Sequence, residues 1–379
     1  MKRILIAHQS SIPHYRVPFY NSLNELRPNT WTFDVVFDPS EIKKKKFFKD
    51  EFNLSDIKFS TLNVNTHSIR INGRTLTYQD FWLKCRKYDL IILEDAINNL
   101  AYPLCKTHHF FGKKIAYWGL GKDRKVKNHN PLTYLVNELK LSLNRSADGY
   151  FSYTGGVKKY LIENGLSGDR IFPINNTIDI NKHRSIFNKL IADKEIIKSE
   201  LGVAGKRTLL FVSTFKKSKR VGFLLKSFSK LLEIDDNYHL LLVGGGGENY
   251  SEDISSNTTY FGSITDINKL APIYIASDIF AYPGQVGLAP LQAICYDLPV
   301  ITIDSHFTHG PEIEYLTPEN SIILDQDTNP EDYAQAIDVV FKHRDHLEQI
   351  RSSSWSSIKH LTIDKMAQNF IHGVNKILE

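Results

Sequence analysis

Short apolar runs alternate with longer segments of helical periodicity along the whole chain, and this alternation constrains the fold more than any other feature. In the first half, the apolar runs predict strands at Ile4–Ala7, Phe33–Phe37, Leu90–Leu93, Ile115–Trp118, Gly149–Ser152 and Ile171–Ile174. The segments between them predict helices at Val17–Leu26, Leu100–Phe110, Leu132–Arg145 and Val157–Asn164. Strands that alternate with helices form βαβ units, so we expect an α/β protein with mostly parallel sheets.

The second half repeats the same rhythm. Its predicted strands are Thr208–Val212, His239–Val243, Ile279–Tyr282, Val300–Ile303 and Ser321–Leu324, and its predicted helices are Val221–Leu232, Ile267–Ala276, Leu288–Tyr296 and Glu331–His343. With 379 residues the chain is too long for one ordinary core. We therefore expect two Rossmann-like domains, residues 1–185 and 186–359, followed by a terminal helix within 360–379. That helix is predicted at roughly Ile363–Leu378, with an apolar stripe at Met366, Phe370, Val374 and Ile377. The segment at 44–80 is expected to be irregular, either an excursion or a hairpin. Ligands of open α/β sheets bind beyond the carboxyl ends of the strands, which predicts a site in a cleft between the two domains.

The net charge of +5 conceals an asymmetry between the two halves. Residues 1–185 contain 29 Lys and Arg against 17 Asp and Glu, whereas the remainder contains 18 against 25. A basic half attracts anionic partners. Its densest cluster, Lys43–Lys49, mixes lysines with two phenylalanines and predicts either contact with an anionic membrane surface or a solvated loop. No nucleic-acid recognition motif accompanies the charge, so we expect no nucleic-acid partner.

Composition excludes several other classes. No run approaches the ~18 apolar residues of a membrane span, and the amino-terminal apolar run is too short for a signal peptide. Three widely spaced cysteines do not suggest a disulfide framework, so the expected compartment is the cytoplasm. The first strand is not followed by GxGxxG, which disfavours a nicotinamide enzyme.

The most informative segment is YPGQVGLAPLQA, residues 282–293. It predicts a strand that ends at Tyr282, a turn containing Gly284 and Gly287, and a helix that begins near Leu288. Amides at such a turn can face an anion, and the helix dipole favours negative charge there. A diphosphate is the expected ligand.

A second basic segment in the same half supports this expectation. Lys219 and Arg220 precede a predicted helix, where cations oppose the helix dipole unless an anion neutralises them. The run GGGGE at 244–248 follows a strand and predicts either close approach of a ligand or a plain tight turn. His306, His309, Glu312 and Glu314 lack metal-ligand spacing, so we expect no metal.

In the first half, polar residues follow three predicted strands. His14 and Arg16 lie just before a helix and could face a ligand or belong to an ordinary helix start. Glu94 and Asp95 could orient sugar hydroxyls, act as a base, or cap the next helix. The loop at 117–130 contains two glycines and the cations Lys122 and Arg124, which could bind phosphate or remain solvated.

These segments, in this order, resemble the GT-B glycosyltransferases, and most of all the retaining family 4 enzymes that use nucleotide sugars. The resemblance rests on IAHQSSIPHYRVPFY, YWGLGK, NNTID, FVSTFKKSKRVGFLL, LLLVGGGGE and ASDIFAYPGQVGLAPLQAICYDLPVIT, and it covers nearly the whole chain. It implies that the terminal helix returns to the first domain. It also implies donor phosphates on Thr214 and Lys219, where the family has Arg and Lys, and paired glutamates at positions that read Gly284 and Gln292.

The resemblance implies a cytoplasmic enzyme, either free or peripheral on the inner membrane face, that transfers sugar with retention to a glycan or lipid-linked acceptor in surface-polysaccharide (lipopolysaccharide O-antigen or capsule) synthesis. Catalytic roles are expected for His14, Glu94 and Lys219. We expect donor contacts from Thr214, Lys219, Arg220, Gly245, Gly284, Gln285, Gly287, Leu288 and Gln292, and acceptor contacts from Arg16, Asp95, Lys122 and Arg124. No cofactor is expected. The alternatives are a catalytically degenerate GT-B scaffold and a related epimerase or phosphorylase.

Overall fold

The computed structural model describes residues 1–8, 12–40, 54–71, 74–121, 131–250, 254–305 and 309–379. Contacts within the chain separate it into two compact units. The first comprises residues 1–176 and 363–379, and the second comprises residues 177–362. None of the described helices is both long and apolar enough to cross a bilayer.

The first unit is built on a seven-stranded sheet. Its strands are β1 (Lys2–Ala7), β2 (Trp31–Phe37), β3 (Ser60–Asn63), β6 (Leu90–Glu94), β7 (Lys114–Gly119), β8 (Gly149–Ser152) and β9 (Ile171–Pro173). All pair in parallel, in the order β3-β2-β1-β6-β7-β8-β9. The order reverses at β1, so the ends of β1 and β6 lie side by side at the point where such sheets bind ligands.

The segment at 44–80, which we expected to be irregular, contains β3 and a separate antiparallel hairpin, β4 (Thr66–Ile71) and β5 (Arg74–Gln79). The sequence predicted the hairpin as one of two possibilities but did not predict β3. Only four residues long and at least partly exposed, β3 lies at the sheet edge and has no continuous apolar run to identify it.

Helices of the first unit are α1 (Val17–Leu26), α2 (Ala101–Lys106), α3 (Pro131–Arg145) and α4 (Gly155–Glu163), and the terminal helix, α12 in chain order, is Ile363–Leu378. The terminal helix buries its predicted stripe against α1 and the sheet, with Phe370 stacked at 4.3 Å on Phe151. A Cβ at Gly373 would lie 2.6 Å from the Phe151 ring, so glycine permits this close approach. The terminal helix therefore belongs to the first unit, as expected.

The second unit repeats the architecture with a six-stranded parallel sheet. Its strands are β10 (Arg207–Thr214), β11 (Tyr238–Gly245), β12 (Thr258–Tyr260), β13 (Ile279–Ala281), β14 (Val300–Ile303) and β15 (Ser321–Leu324), in the order β12-β11-β10-β13-β14-β15. Its helices are α5 (Ile180–Leu190), α6 (Lys194–Glu200), α7 (Val221–Ile234), α8 (Ile267–Ile275), α9 (Ala289–Cys295), α10 (Pro330–Lys342) and α11 (Arg344–Ile358). The predicted class of two parallel α/β sheets is confirmed.

Residues 177–185, which we expected in the first domain, lie in the second unit. Ile180 and Phe187 of α5 are buried in the core of that unit, and Arg184 donates to the Asp297 carboxylate at 2.7 Å. The change of charge along the chain suggested a boundary after residue 185. The boundary lies after residue 176 because the apolar face of α5 is buried in the second unit.

Candidate functional site

In the second unit, hydrogen bonds join the turn after β13 to the loop after β10. The Gln285 N–H donates to the Ser218 carbonyl at 2.8 Å, and Lys219 Nζ donates to the Gln285 carbonyl at 2.6 Å. A Cβ at Gly284 would lie 2.4 Å from the carbonyl carbon and oxygen of Lys219. Gly284 thus allows direct contact between the two backbones. A glutamate, which the resemblance implies at this position, has no room there in this conformation.

Lys219 and Arg220 lie half-buried at this junction. The Lys219 ammonium is 5.4 Å from the centre of the Tyr282 ring, and Arg220 stacks at 4.0 Å over Phe223. Arg220 directs its guanidinium to the Pro283 carbonyl at 3.5 Å. Burial lowers the pKa of Arg220. Because neither cation is paired with a carboxylate among the described residues, the junction carries positive charge that an anion can neutralise.

The glycine turn continues from this junction to α9. That helix begins at Ala289, one residue later than predicted, and it has only seven residues. The backbone N–H groups of Gly287 and Leu288 donate to no acceptor within the described part of the chain. A Cβ at Gly287 would meet nothing within 4 Å. The turn is therefore open at Gly287 and closed by backbone contact at Gly284.

Gln292 lies one turn into α9 and is half-buried. Its Oε1 accepts from the Tyr274 hydroxyl at 3.2 Å. Burial raises the pKa of Tyr274 well above its ordinary value, so this phenol keeps its proton and acts as the donor. The bond leaves the Gln292 amide N–H groups for a ligand, whereas a glutamate would present only acceptor oxygens. The sequence did not reveal Tyr274, because its partner lies eighteen residues away on a different helix.

Thr214 and Gly245 are opposite each other at the carboxyl ends of β10 and β11. Thr214 is exposed, and a Cβ at Gly245 would lie 2.8 Å from Ser263 Oγ. Gly244 has φ of 144°, and a Cβ there would lie 1.8 Å from the Ser213 carbonyl oxygen. The first glycines of GGGGE therefore serve packing between the strand ends, which favours the tight-turn interpretation at Gly244.

His309 has a structural place beside the glycine turn. Its Nδ1 accepts from the Val286 N–H at 3.0 Å, and its Nε2 lies 2.9 Å from the Ile303 carbonyl. Both ring nitrogens are thus engaged by backbone, and the neutral tautomer carries its proton on Nε2. His309 joins the turn to the end of β14. Among the described residues, no three His, Cys, Asp or Glu side chains are grouped so that they could hold a metal.

In the first unit, β1 and β6 bring His8 and Glu94 together. His8 Nδ1 lies 3.8 Å from Glu94 Oε2, and its Nε2 makes a hydrogen bond with the Tyr20 hydroxyl. Burial raises the pKa of Tyr20 well above its ordinary value, so Tyr20 remains a phenol. When this phenol donates to Nε2, the Nδ1 proton of His8 faces Glu94. Sequence reasoning selected His14 instead, which is exposed beside Tyr15. The better signal for His8 was its position directly after β1.

Arg16 is buried among aromatic rings at the same strand ends. Its guanidinium carbon is 4.9 Å from the centre of the Trp118 ring and 5.2 Å from the rings of Tyr15 and Tyr153. Its Nη1 lies 3.7 Å from the sulfur of Met366 on the terminal helix. No carboxylate of the described residues pairs with it. The structure thus places this predicted acceptor-side residue beside the Glu94 group.

The carboxylate of Asp95, by contrast, is already bound by other side chains of this chain. Lys140 lies 3.0 Å from Oδ2, and the Tyr150 hydroxyl donates to the same oxygen at 2.5 Å. Only 3% of the Asp95 side chain is exposed. The Tyr150 hydroxyl also accepts from the Gly121 N–H at 2.9 Å. Asp95 therefore holds the start of the loop after β7. The predicted residues Lys122 and Arg124 of that loop, and the Lys43–Lys49 cluster, lie outside the described residues.

Comparison with known proteins shows what the chain resembles. Residues 206–343 match the family model described as glycosyl transferases group 1. The chain is 26% identical to spore coat protein SA of Bacillus subtilis (strain 168) over 41% of this chain and 45% of that protein. The match thus spans less than half of that relative's length.

Two solved structures resemble the whole chain in fold. HepE of Anabaena, solved in complex with UDP and glucose, has a TM-score of 0.67 and 13% identity, with 99% of this chain and 100% of that chain covered. Sucrose-phosphate synthase from Thermosynechococcus elongatus has a TM-score of 0.66 and 14% identity, with 100% and 99% covered. The fold is that of the GT-B glycosyltransferases. The match of residues 206–343 to the group 1 model and this fold confirm the predicted resemblance to the GT-B glycosyltransferases.

Proposed function

We propose that this chain is a glycosyltransferase that binds a nucleoside diphosphate sugar in its second unit. The observation that carries the proposal is the pair of half-buried cations, Lys219 and Arg220, on the glycine turn without a carboxylate partner among the described residues. Two cations near the amides of Gly287 and Leu288, which donate to no acceptor in the described part of the chain, suit the two charges of a diphosphate. The matched family segment, residues 206–343, contains all of these groups.

The proposed donor contacts follow from this arrangement. Lys219 and Arg220 bind the diphosphate, and the Gln292 amide donates to a ribose hydroxyl. Thr214, Gly245 and Gln285 lie at neighbouring strand and turn ends, where the rest of the donor would bind. Because HepE was solved in complex with UDP and glucose and with UDP-glucose, UDP-glucose is the first donor to test, with UDP as its nucleotide product.

We propose retention of configuration at the transferred sugar. In such a transfer the leaving diphosphate accepts the proton of the acceptor hydroxyl on the same face of the sugar. Catalysis then depends on positioning and on stabilising the charge that develops on the diphosphate. Lys219 and Arg220 supply that stabilisation. No carboxylate nucleophile is needed at position 284, where backbone contact leaves no room for one.

The acceptor is proposed to bind at the carboxyl ends of β1 and β6. Glu94, one-third exposed, can accept a hydrogen bond from a sugar hydroxyl, and His8 and Tyr20 hold the adjacent surface. A glycan or lipid-linked acceptor in cell-surface polysaccharide synthesis fits the basic first half and the resemblance. Contact with the inner membrane surface through Lys43–Lys49 belongs to this proposal, and it predicts sedimentation with anionic but not zwitterionic vesicles.

The test is nucleotide-dependent thermal stabilisation in a pair of variants. At ~100 times its dissociation constant a ligand adds about 2.7 kcal/mol, which raises the melting temperature by several degrees for a unit of this size. Lys219→Ala should abolish stabilisation by UDP or UDP-glucose while the unfolding transition stays cooperative. Lys217→Ala is the matched control, because this exposed lysine lies in the same loop. Equal stabilisation of both variants would contradict the donor site, and no shift with any nucleotide would favour a scaffold.

A further inference from the structure

Two buried N–H donors in the aromatic cluster around Arg16 have no hydrogen-bond partner among the residues that the structure describes. They are Arg16 Nη2 and Trp118 Nε1. Arg16 is 1% exposed and Trp118 is 3% exposed. The guanidinium lies over the indole ring, so both donors belong to one cluster at the carboxyl ends of the first sheet. Buried donors normally have partners, and each one left unpaired costs free energy of about 1–3 kcal/mol, more for a charged group.

The aromatic rings account for part of this arrangement. Rings of Tyr15, Trp118 and Tyr153 surround the cation at 4.9–5.2 Å, and such contacts attract it. Tyr153 also makes a hydrogen bond with the guanidinium, but a phenol carries no negative charge, and a thioether sulfur is a weak acceptor for Nη1. Nη2 still has no partner among the described residues. A water molecule could accept from one donor, but it would leave the buried charge uncompensated. A buried guanidinium ordinarily has an anion beside it.

We infer that Arg16 and Trp118 bind an oxyanion group carried by the acceptor, with Arg16 as the cation and the indole N–H as a second donor. This inference rests on the proposed function, and it adds a chemical requirement to it. The acceptor carries a phosphate or a carboxylate near the hydroxyl that receives the sugar. Either a sugar phosphate or a uronic acid meets this requirement. Glu94, one-third exposed and 3.8 Å from His8, marks where the cluster reaches solvent.

The experiment measures thermal stabilisation of the full chain by inorganic phosphate, pyrophosphate and glucuronate, each in the presence of saturating UDP so that the proposed donor site is already occupied. The variants are Arg16→Met, which keeps an apolar side chain of similar length, and Trp118→Phe, which keeps a ring but removes the donor. Trp82→Phe is the matched control, because Trp82 already donates to Thr107 Oγ1 at 3.3 Å. UDP stabilisation is measured in parallel for every variant.

We expect phosphate or glucuronate to stabilise the wild type, Arg16→Met to abolish that effect, and Trp118→Phe to weaken the affinity about tenfold. Trp82→Phe should bind the anion like the wild type. Without ligand, Arg16→Met should be as stable as the wild type or more stable, since an unpaired buried charge has been removed. Which anion works distinguishes phosphorylated from carboxylated acceptors.

Anion stabilisation that persists in Arg16→Met, or its absence in the wild type with all three anions, would overturn the inference. So would an Arg16→Met protein that is strongly destabilised and still stabilised by anion, because Arg16 would then serve packing alone. UDP separates the two proposals. Loss of the anion effect with UDP stabilisation intact refutes only this inference, whereas failure of UDP to stabilise the wild type refutes the donor site.

Discussion

The contact between Gly284 and Lys219 makes a quantitative prediction about the donor turn. A Cβ at position 284 would lie 2.4 Å from the carbonyl carbon and oxygen of Lys219 and 2.5 Å from its Cα, whereas ordinary contacts begin near 3.4 Å. Gly284→Ala therefore forces the two backbones about 1 Å apart. The hydrogen bonds of Gln285 to Ser218 and of Lys219 to Gln285 span this same contact, so they must lengthen or break.

Overpacking of this kind costs about 1–3 kcal/mol. For a unit of 150–250 residues that lowers the melting temperature by roughly 2–12 °C. Because Lys219 moves with its backbone, UDP affinity should fall at least tenfold. Gly287→Ala is the control three residues away, since a Cβ there meets nothing within 4 Å. It should change the free energy of unfolding by less than about 0.5 kcal/mol.

Chemical denaturation and calorimetric titration of UDP measure both effects. Gly284→Glu would place the family's carboxylate at this position, yet it carries the same Cβ. We expect it to be at least as destabilised as Gly284→Ala, with no gain in transfer activity. If Gly284→Ala matched Gly287→Ala in stability and in UDP affinity, close backbone contact would not be the reason for glycine at position 284.

Two further predictions concern buried titratable groups of the second unit. Burial alone raises the pKa of Asp278, but Lys198, Lys194 and Arg351 outweigh it and the net pKa is lowered. The ionised Asp278 carboxylate therefore stabilises the fold at neutral pH, and this contribution is lost as pH falls below about 4. Asp278→Asn should lower the free energy of unfolding by about 3–5 kcal/mol at pH 7 and by less in acid. Urea denaturation across pH measures the difference. Burial lowers the pKa of His183 to about 4, below its ordinary 6.5. Between pH 6.5 and 4 His183 is therefore protonated in the unfolded chain but neutral in the folded one, so the free energy of unfolding should fall by up to about 3 kcal/mol over this range. If a His183→Gln variant kept the same dependence on pH, His183 would not be its source.

Local sequence patterns determined most of the architecture. Eleven apolar runs predicted strands that the structure contains, and Val17–Leu26 and Ile363–Leu378 are helices with the predicted bounds. A buried parallel strand must be apolar on both faces, and an amphipathic helix must repeat near 3.6 residues, so both leave a local record. The short edge strand Thr258–Tyr260 and helix Arg344–Ile358 were missed, because the strand lacks a continuous apolar run and polar residues dominate the helix.

Residue types at strand ends also predicted candidate ligand sites, since a parallel sheet brings those ends to one edge. From the sequence alone we predicted site roles for the Lys219 loop, the glycine turn, Arg16 and Glu94. The sequence could not show which polar groups are already hydrogen-bonded or ion-paired within the protein. In the sequence, Asp95 and His309 look like site residues. In the structure, Lys140 and Tyr150 bind the Asp95 carboxylate, and two backbone groups bind the ring of His309.

Only the tertiary structure decided the meaning of Gly284 and Arg16. Position 284 reads as a lost carboxylate until Lys219, 65 residues earlier in the chain, lies against it. From the sequence, Arg16 could face a ligand or belong to an ordinary helix start. In the structure Trp118 and Met366 enclose it, and its Nη2 has no partner among the described residues. Both conclusions depend on contacts between residues far apart in the chain, because distance and burial determine the free energy of a close contact or an unpaired charge.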